Sequence, residues 1–367
     1  MKIDFRLKEV LARYKLDRHG VIHEIAAAVG ANRHTIARLY NNRSPSVGLA
    51  VLGQLCTWLA EKGVPQEELP GSLFGTGRGS LWDAIARQGG EVTIYLGEYQ
   101  PITQADVVWR WISRRDAAVA AMVVKQLSAG SKGHASTPQL AFTYVPFRYS
   151  PADHLVDAGL LAEDIDRTRE IFEQTYQAGQ SGTAIIIGSQ RVNYLLEFFV
   201  ADLFGCRPFV LPAREPCVPF FSVYRPTDQN TPSCFGGPTN PFRRRDSTTP
   251  GLHYLGDRGH WMTVRWVKER QDAGVVIALT DHRHRSVALA VFGFSGRATE
   301  AIGRQLLLRE DLFWPPSGIK LKAREVGVFI CQLTYAPGGK GTVSEGQGQV
   351  RSFEVIPLSE RTLKAFL

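Results

Sequence analysis

The stretch "TAIIIGSQRVNYLLEFFVADLFG", residues 183–205, decides how most of this chain folds. It opens as an apolar run through Ile185, Ile186 and Ile187, the pattern of a strand buried on both faces. It breaks at Gly188-Ser189. It resumes as a helix that carries a lone Asn193 and Glu197 in its first turns and stops at Gly205. A strand that turns directly into a helix leaves backbone N–H groups and the positive end of the helix dipole at the turn, which favours an anion. Gly188, Ser189, Gln190, Arg191 and Asn193 are therefore candidate ligand residues, and Arg191 adds charge. Asn193 and Glu197 stand four apart and share one helix face. Glu197 is the single candidate catalytic residue, a carboxylate near a turn where it can act on a ribose. The plain alternative is a strand–helix connection with no ligand.

Two more units repeat the layout of apolar strand, polar turn and helix. "EVTIYLGEYQ" (91–100) precedes, after a gap, the helix "SRRDAAVAAMVVKQLS" (113–128), where Ser113 and Asp116 make an S-x-x-D capping box. "SVALAVFGFSGRATEAIGRQLL" (286–307) sets "GFSGRAT" between strand and helix. There Gly293, Ser295, Gly296, Arg297 and Thr299 are candidate ligand residues, because glycines let a phosphate approach the backbone. The loop lacks the Lys-Ser/Thr of a Walker A loop and the third glycine of G-x-G-x-x-G. A tight turn with a helix cap is the alternative.

"AGVVIALTD" (273–281) reads as another buried strand. "EVGVFICQLTYAP" (325–337) and "QVRSFEVIPLS" (349–359) read as a late strand pair around a Gly-rich loop. Strands alternating with helices imply a mostly parallel sheet with helices on both faces, and ligands at the strands' carboxyl ends. The expected body, residues 91–367, is one Rossmann-like α/β domain. It includes a helical insert at 151–180 and long ordered loops that can serve as a lid at 211–262.

The first 75 residues read differently. "FRLKEVLARY" (5–14) places Phe5, Val10, Leu11 and Tyr14 near one helical face. In "VIHEIAAAVGANRHTIARLYNN" (21–42), Ile22, Ile25, Ala26 and Val29 form a stripe on a second helix. Gly30 stops that helix, and Asn32 caps the next. On the third helix Ile36 and Leu39 point inward, while Arg33, His34, Ala37, Arg38 and Asn41 share the outward arc. A small Ala26, a turn at Gly30 and inward Ile36 and Leu39 have the spacing of a helix-turn-helix.

Residues 5–74 resemble the Cro/C1-type (XRE-like) helix-turn-helix family. The likeness continues through "SVGLAVLGQLCTWLAEKGVPQEELPGSLF" (46–74), which is similar to that family's following helix and short last helix. The resemblance implies an all-α DNA-binding domain over 1–75 with its recognition helix in the major groove. Asn32, Arg33, His34, Thr35, Arg38 and Asn41 are then candidates for base edges or nearby phosphates, with Arg43 and Ser44 beside the backbone. Arg33 and His34 stand where the family often has Gln or Ser, so the operator is not readable. A linker is expected at 76–90. The body resembles, at the level of fold, the Rossmann-like domains that follow such heads in uncharacterised bacterial regulators.

Composition fits this reading. The chain has 367 residues, 44% hydrophobic and 21% charged, as for an ordinary globular protein. Its net charge is +8, a mild excess that suits an acidic partner such as double-stranded DNA. No run of about 18 apolar residues spans a membrane, and no signal peptide opens the chain. Five cysteines without a CxxC pair suit free thiols in a reducing, cytoplasmic and nucleoid-associated setting, with no structural metal. The H-x-H of "DHRHRS" (281–286) reads as a hairpin turn, and "PFRRRD" (241–246) as a solvated loop.

The expected function is a sequence-specific transcription regulator. The body would supply a homodimer contact and bind a small anionic or nucleotide-like ligand, with no resident cofactor. Two alternatives stay open: a nucleotide- or NAD-cleaving defence enzyme using Glu197, and a DNA-bound structural adaptor.

Overall fold

A computed structural model describes every residue except 1–3, 6, 15, 42, 45, 65–68, 70–72, 76–80, 83–84, 86–89, 102–109, 131–137, 150–157, 175–181, 229–230, 282, 314–318, 322–323 and 337–348. The chain divides into two units, Met1–Gly79 and Ser80–Leu367.

The first unit is built on helices α1 (Leu7–Arg13), α2 (Val21–Ala28), α3 (Arg33–Tyr40) and α4 (Leu49–Glu61). A two-residue strand pair, β1 (Asp4–Phe5) with β2 (Phe74–Gly75), ties its ends together. The short last helix expected after α4 falls mostly outside the described residues. Gly30 adopts φ +60° between α2 and α3, the left-handed backbone that a glycine adopts without strain. The Ala31 N–H then donates to the Ala26 carbonyl at 3.0 Å. Asn32 caps α3 by accepting from the His34 N–H at 2.8 Å. Leu7, Leu11, Ile25, Ile36, Leu39, Leu55 and Leu59 form the core of this unit, all buried.

The second unit is organised by one large sheet. β3 (Glu91–Pro101) pairs in parallel with β5 (Gln139–Tyr149) on one side and β6 (Gly182–Gly188) on the other. β6 pairs in parallel with β12 (Ser286–Gly293). From there the direction alternates. β11 (Gln271–Asp281) is antiparallel to β12 and to β14 (Arg324–Tyr335), and β14 is antiparallel to β13 (Ile319–Leu321) and β15 (Val350–Pro357). A short strand, β4 (Trp111–Ile112), pairs with Glu98 and Tyr99 of β3.

The sheet is thus mixed rather than mostly parallel. The cause is local: β11 and β12 are joined by a hairpin from Asp281 to Ser286, and a short hairpin joins only antiparallel strands. Asp281 holds that turn by accepting from the N–H groups of Arg283 (2.9 Å) and His284 (3.1 Å). It also pairs with Arg324 at 2.9 Å.

Helices α5 (Arg114–Gly130) and α8 (Gly296–Leu308) share one core with one side of the sheet, through Val119, Val123, Ile302 and Leu306. The other core joins α6 (Ala158–Phe172) and α7 (Leu195–Phe204) to a second, four-stranded sheet. That sheet runs β10-β9-β7-β8, formed by Trp261–Arg265, Gly251–Leu255, Phe220–Val223 and Gly236–Gly237. Successive β6 residues serve alternate cores, Ile186 one and Ile185 and Ile187 the other, as a strand's two-residue period requires.

Three expectations change here. The described part of 151–180 is α6, the crossover helix between parallel β5 and β6 rather than an insert. Residues 211–262 contain β7–β10 rather than loops alone. Within the expected linker 76–90, Leu81, Trp82 and Ile85 are buried in the body's core, and residues 76–80 lie outside those described. Among the described residues no helix is long and apolar enough to cross a membrane.

Candidate functional site

The turn after β6 begins at Gly188, whose φ of +139° suits glycine. The N–H groups of Val192 (3.0 Å) and Asn193 (2.9 Å) then donate to the Ser189 carbonyl. This folds Ser189, Gln190 and Arg191 outward over the end of the strand. They line a narrow cleft whose enclosed volume is about 10 Å³, room for roughly one water. Gly293, the last residue of β12, and Phe294 after it line the same cleft. The two turns singled out in the sequence therefore converge at the carboxyl ends of neighbouring parallel strands.

The remaining wall was not legible in the sequence. Ser222 and Tyr224 come from β7 and the residue after it, and Asp228 from the loop that follows. Asp228 is nearly buried and pairs with Arg191 Nη1 at 2.9 Å and with Arg225 Nη2 at 2.9 Å. Two guanidinium groups on one carboxylate leave a net positive charge. Arg191 Nε is buried and has no hydrogen-bond partner among the described residues. Burial lowers the Arg191 pKa, and the Asp228 carboxylate opposes that. Gln190 accepts from the Ser222 hydroxyl at 3.3 Å. Tyr224 is buried, which raises its pKa. A side chain on Gly236 would meet Gln190 Nε2 at 2.5 Å and the Tyr224 hydroxyl at 2.6 Å, so this wall closes only over a glycine. The one sequence cue was R-x-x-D at Arg225–Asp228, inside a region read as loops.

The other candidates of these two turns lie outside the lining of the cleft. Asn193 is fully buried and does not face the cleft. Its Nδ2 donates to the carbonyls of Tyr95 (3.2 Å) and Ile187 (3.0 Å), pinning β3 to β6. Glu197 is 2% exposed. It accepts from the N–H groups of Phe209 (2.8 Å) and Cys234 (2.7 Å), and the Ser233 hydroxyl lies 2.6 Å from its other oxygen. Burial raises its pKa, and these donors pull it back. Glu197 thus anchors the segment around β8 to α7 and is closed to a substrate.

Ser295 caps α8, accepting from the Ala298 N–H at 3.4 Å and bonding Asp272 through its hydroxyl. Thr299 is buried and accepts from the Gly293 N–H at 3.0 Å. Gly296 abuts Arg115, and Arg297 lies over the Tyr335 ring at 3.9 Å. None of these four lines the cleft, and Gly188 lies at the foot of the turn without lining it.

In the first unit Asn32, Arg33, His34, Thr35, Arg38, Asn41 and Arg43 are all exposed, and Ser44 is half-buried. Arg33, Arg38 and Arg43 form no ion pair with another described residue, whereas Glu24 is held by Arg18 and Lys62. Asn41 is partly committed, since its Nδ2 donates to the Ala37 carbonyl at 2.8 Å. Ser44 donates to the Ser46 carbonyl.

His284 pairs with Asp281 at 3.0 Å, and His282 lies outside the described residues. Among the described residues no group of His, Cys, Asp and Glu is set to hold a metal ion. No protein-family model, no curated protein and no solved structure matches the chain.

Proposed function

We propose that the chain is a DNA-binding transcription regulator: its first unit reads double-stranded DNA through α3, and its second binds a small anionic or nucleotide-like ligand in the Ser189–Arg191 cleft. The reading rests on the division of α3. Ile36 and Leu39 are buried while Arg33, His34 and Arg38 stand exposed without acidic partners. Cations left unpaired on one short helix are a footprint for phosphates and base edges. The Gly30 turn and the Asn32 cap between α2 and α3 support the Cro/C1-type helix-turn-helix reading. The parallel β5-β3-β6-β12 half of the sheet, with its crossover helices, supports the Rossmann-like reading of the second unit. One such head covers little DNA, so a homodimer on a two-fold site is part of the proposal.

The test starts with capture of genomic fragments by the full chain. A sharp two-fold motif supports the regulator; uniform recovery of all fragments would instead make it a structural adaptor. On the recovered site, Arg33→Ala and Arg38→Ala should each cost about 1–3 kcal/mol of specific binding. Arg43→Ala should weaken all sequences alike and reduce the salt slope by about 1. Wild-type binding by all three variants would remove the DNA reading.

The cleft is tested separately, with orthophosphate and a nucleoside monophosphate as probes. At about 100 times its Kd a ligand adds about 2.7 kcal/mol to native stability. A rise in the melting temperature of the wild type that Arg191→Gln lacks is the expected result. An equal rise in both proteins places the anion elsewhere. Glu197 supports no hydrolytic alternative, because its carboxyl is buried and occupied by the protein's own donors.

A further inference from the structure

β5 forms one outer edge of the large sheet. Among the described residues it pairs with β3 alone. Alternate residues of a strand turn their backbone N–H and C=O groups to opposite edges. Arg148 shows which set of β5 faces outward, because its N–H donates to Asp164 Oδ2 of α6 at 2.8 Å instead of to β3. Pro146, which has no N–H to give β3, belongs to the same set. So do Phe142 and Tyr144, and their N–H and C=O groups therefore point along the outer edge. These two residues are 44% and 45% exposed. They lie in register with Ile94 and Leu96 of β3, so their rings continue, at the rim of the sheet, the face that forms a core with α5 and α8.

Exposed edges are ordinarily guarded by charge, by shortness or by bulges. The other outer strands of this unit follow that rule. β15 carries exposed Arg351 and Glu354, and β10 ends on exposed Arg265. β4 and β8 are two residues each, and β13 is three. β5 instead has eleven residues and no charged side chain from Gln139 to Phe147. Beyond Pro146 the edge closes, since Arg148 is tied to α6 through Asp164 (2.7 Å) and Glu163 (2.8 Å). The open, uncharged segment runs from Leu140 to Pro146, with Thr143 at its centre.

We propose that β5 is the contact of a homodimer, pairing antiparallel with β5 of a second copy about a two-fold axis at Thr143. The occupant follows from the symmetry of the segment. About that axis Phe142 of each copy opposes Tyr144 of the other, Leu140 opposes Pro146, and Thr143 opposes itself. This register uses the whole open segment. The outward N–H and C=O groups of Phe142 and Tyr144 then fall where an opposed pair exchanges both hydrogen bonds. Pro146 withholds a donor at each end, which stops the pairing there. No like charges meet, and Phe142 and Tyr144 form aromatic cross-strand pairs on one face. A two-fold contact uses the same edge in both copies, so it closes at two and does not grow into a fibre. The inference deepens the homodimer part of the function proposed above, and the contact needs no DNA to form.

Sedimentation equilibrium of the full chain without DNA tests the contact. The wild type is expected to be a dimer. Phe142→Lys combined with Tyr144→Lys sets like charges opposite one another at both aromatic pairs, and should raise the dissociation constant at least about tenfold. Phe142→Lys combined with Tyr144→Glu sets each lysine opposite a glutamate and should restore the dimer. Circular dichroism checks that both variants keep the wild-type fold. A readout free of any variant is amide hydrogen exchange in the wild type. The Phe142 and Tyr144 amides should be protected in concentrated protein and exchange faster on dilution, while those of β6 in the sheet interior should not change. A monomeric wild type, a dimer that survives the double lysine variant, or exchange at Phe142 and Tyr144 independent of concentration would overturn the proposal. A lysine–glutamate variant that stays monomeric would overturn the pairing about Thr143. With no DNA in these measurements, their failure leaves the DNA reading of the first unit standing, and failure of that reading leaves the dimer contact standing.

Discussion

Glu197→Ala is expected to destabilise the second unit by about 3–5 kcal/mol, while Glu197→Gln costs less than about 1 kcal/mol. The contrast follows from the donors. One carboxyl oxygen accepts from two backbone N–H groups, those of Phe209 and Cys234. The other lies 2.6 Å from the Ser233 hydroxyl. Alanine strands both N–H groups away from water, at about 1–3 kcal/mol each, and leaves a cavity besides. Glutamine keeps the shape and keeps the oxygen that serves the backbone. Its amide nitrogen can donate to the Ser233 hydroxyl, which already accepts from nothing but the Phe235 N–H at 3.1 Å among the described residues. Denaturant unfolding of the three proteins measures the difference. An alanine variant as stable as wild type would mean that this carboxyl holds nothing together, and would return Glu197 to the list of functional groups.

The same residue marks how far the sequence could be read. The β6–turn–α7 unit was legible, because an apolar run broken by Gly188-Ser189 has few other solutions. So was the turn from α2 to α3, where Gly30 and Asn32 are local signals with local causes. The direction of Glu197 was not legible. Of the ten residues of α7, only Asp202 is exposed, so no polar stripe marks a face. Strand direction in the second half of the sheet was also hidden, because buried runs such as 273–281 read the same either way. β5 carries Pro146 in "QLAFTYVPFRY", a residue that argues against a central strand; it pairs along one side only among the described residues, as an edge strand can. β8 is two glycines and carries no hydrophobic signal at all. The cleft was half visible for the same reason: its two turns are local features, while Ser222, Tyr224 and Asp228 arrive through tertiary pairing.

Asp116→Asn is expected to stabilise the protein by on the order of 2–3 kcal/mol at neutral pH. Asp116 is 4% exposed, and its Oδ1 has no hydrogen-bond partner among the described residues. Burial pushes its pKa up to about 6, with Arg115 only partly opposing. The folded chain therefore holds this proton more tightly than the unfolded chain. The contribution to stability is complete below the unfolded value near 4 and is lost as pH rises through about 6. Asparagine keeps the volume without the charge, so the wild-type decline between about pH 4 and 6 should flatten in the variant. Asp272 supplies the contrast, since it is also raised to about 6. Unlike Asp116, it is bonded to the Ser295 hydroxyl and the Ala273 N–H, so Asp272→Asn should gain less. Urea unfolding at pH 4, 6 and 8 separates the two, and equal slopes for wild type and Asp116→Asn would discard the linkage. A carboxyl so placed works against the fold. A side chain on Gly188 would come within 3.4 Å of Asp116 Oδ2, so this charge sits at the foot of the turn that presents Ser189–Arg191 to the cleft. Charges retained at a cost in stability concentrate where a protein binds or reacts. That charge also opposes an anion in the cleft, so Asp116→Asn should tighten anion binding there as it stabilises the fold, and unchanged binding would leave the cost a property of the fold alone.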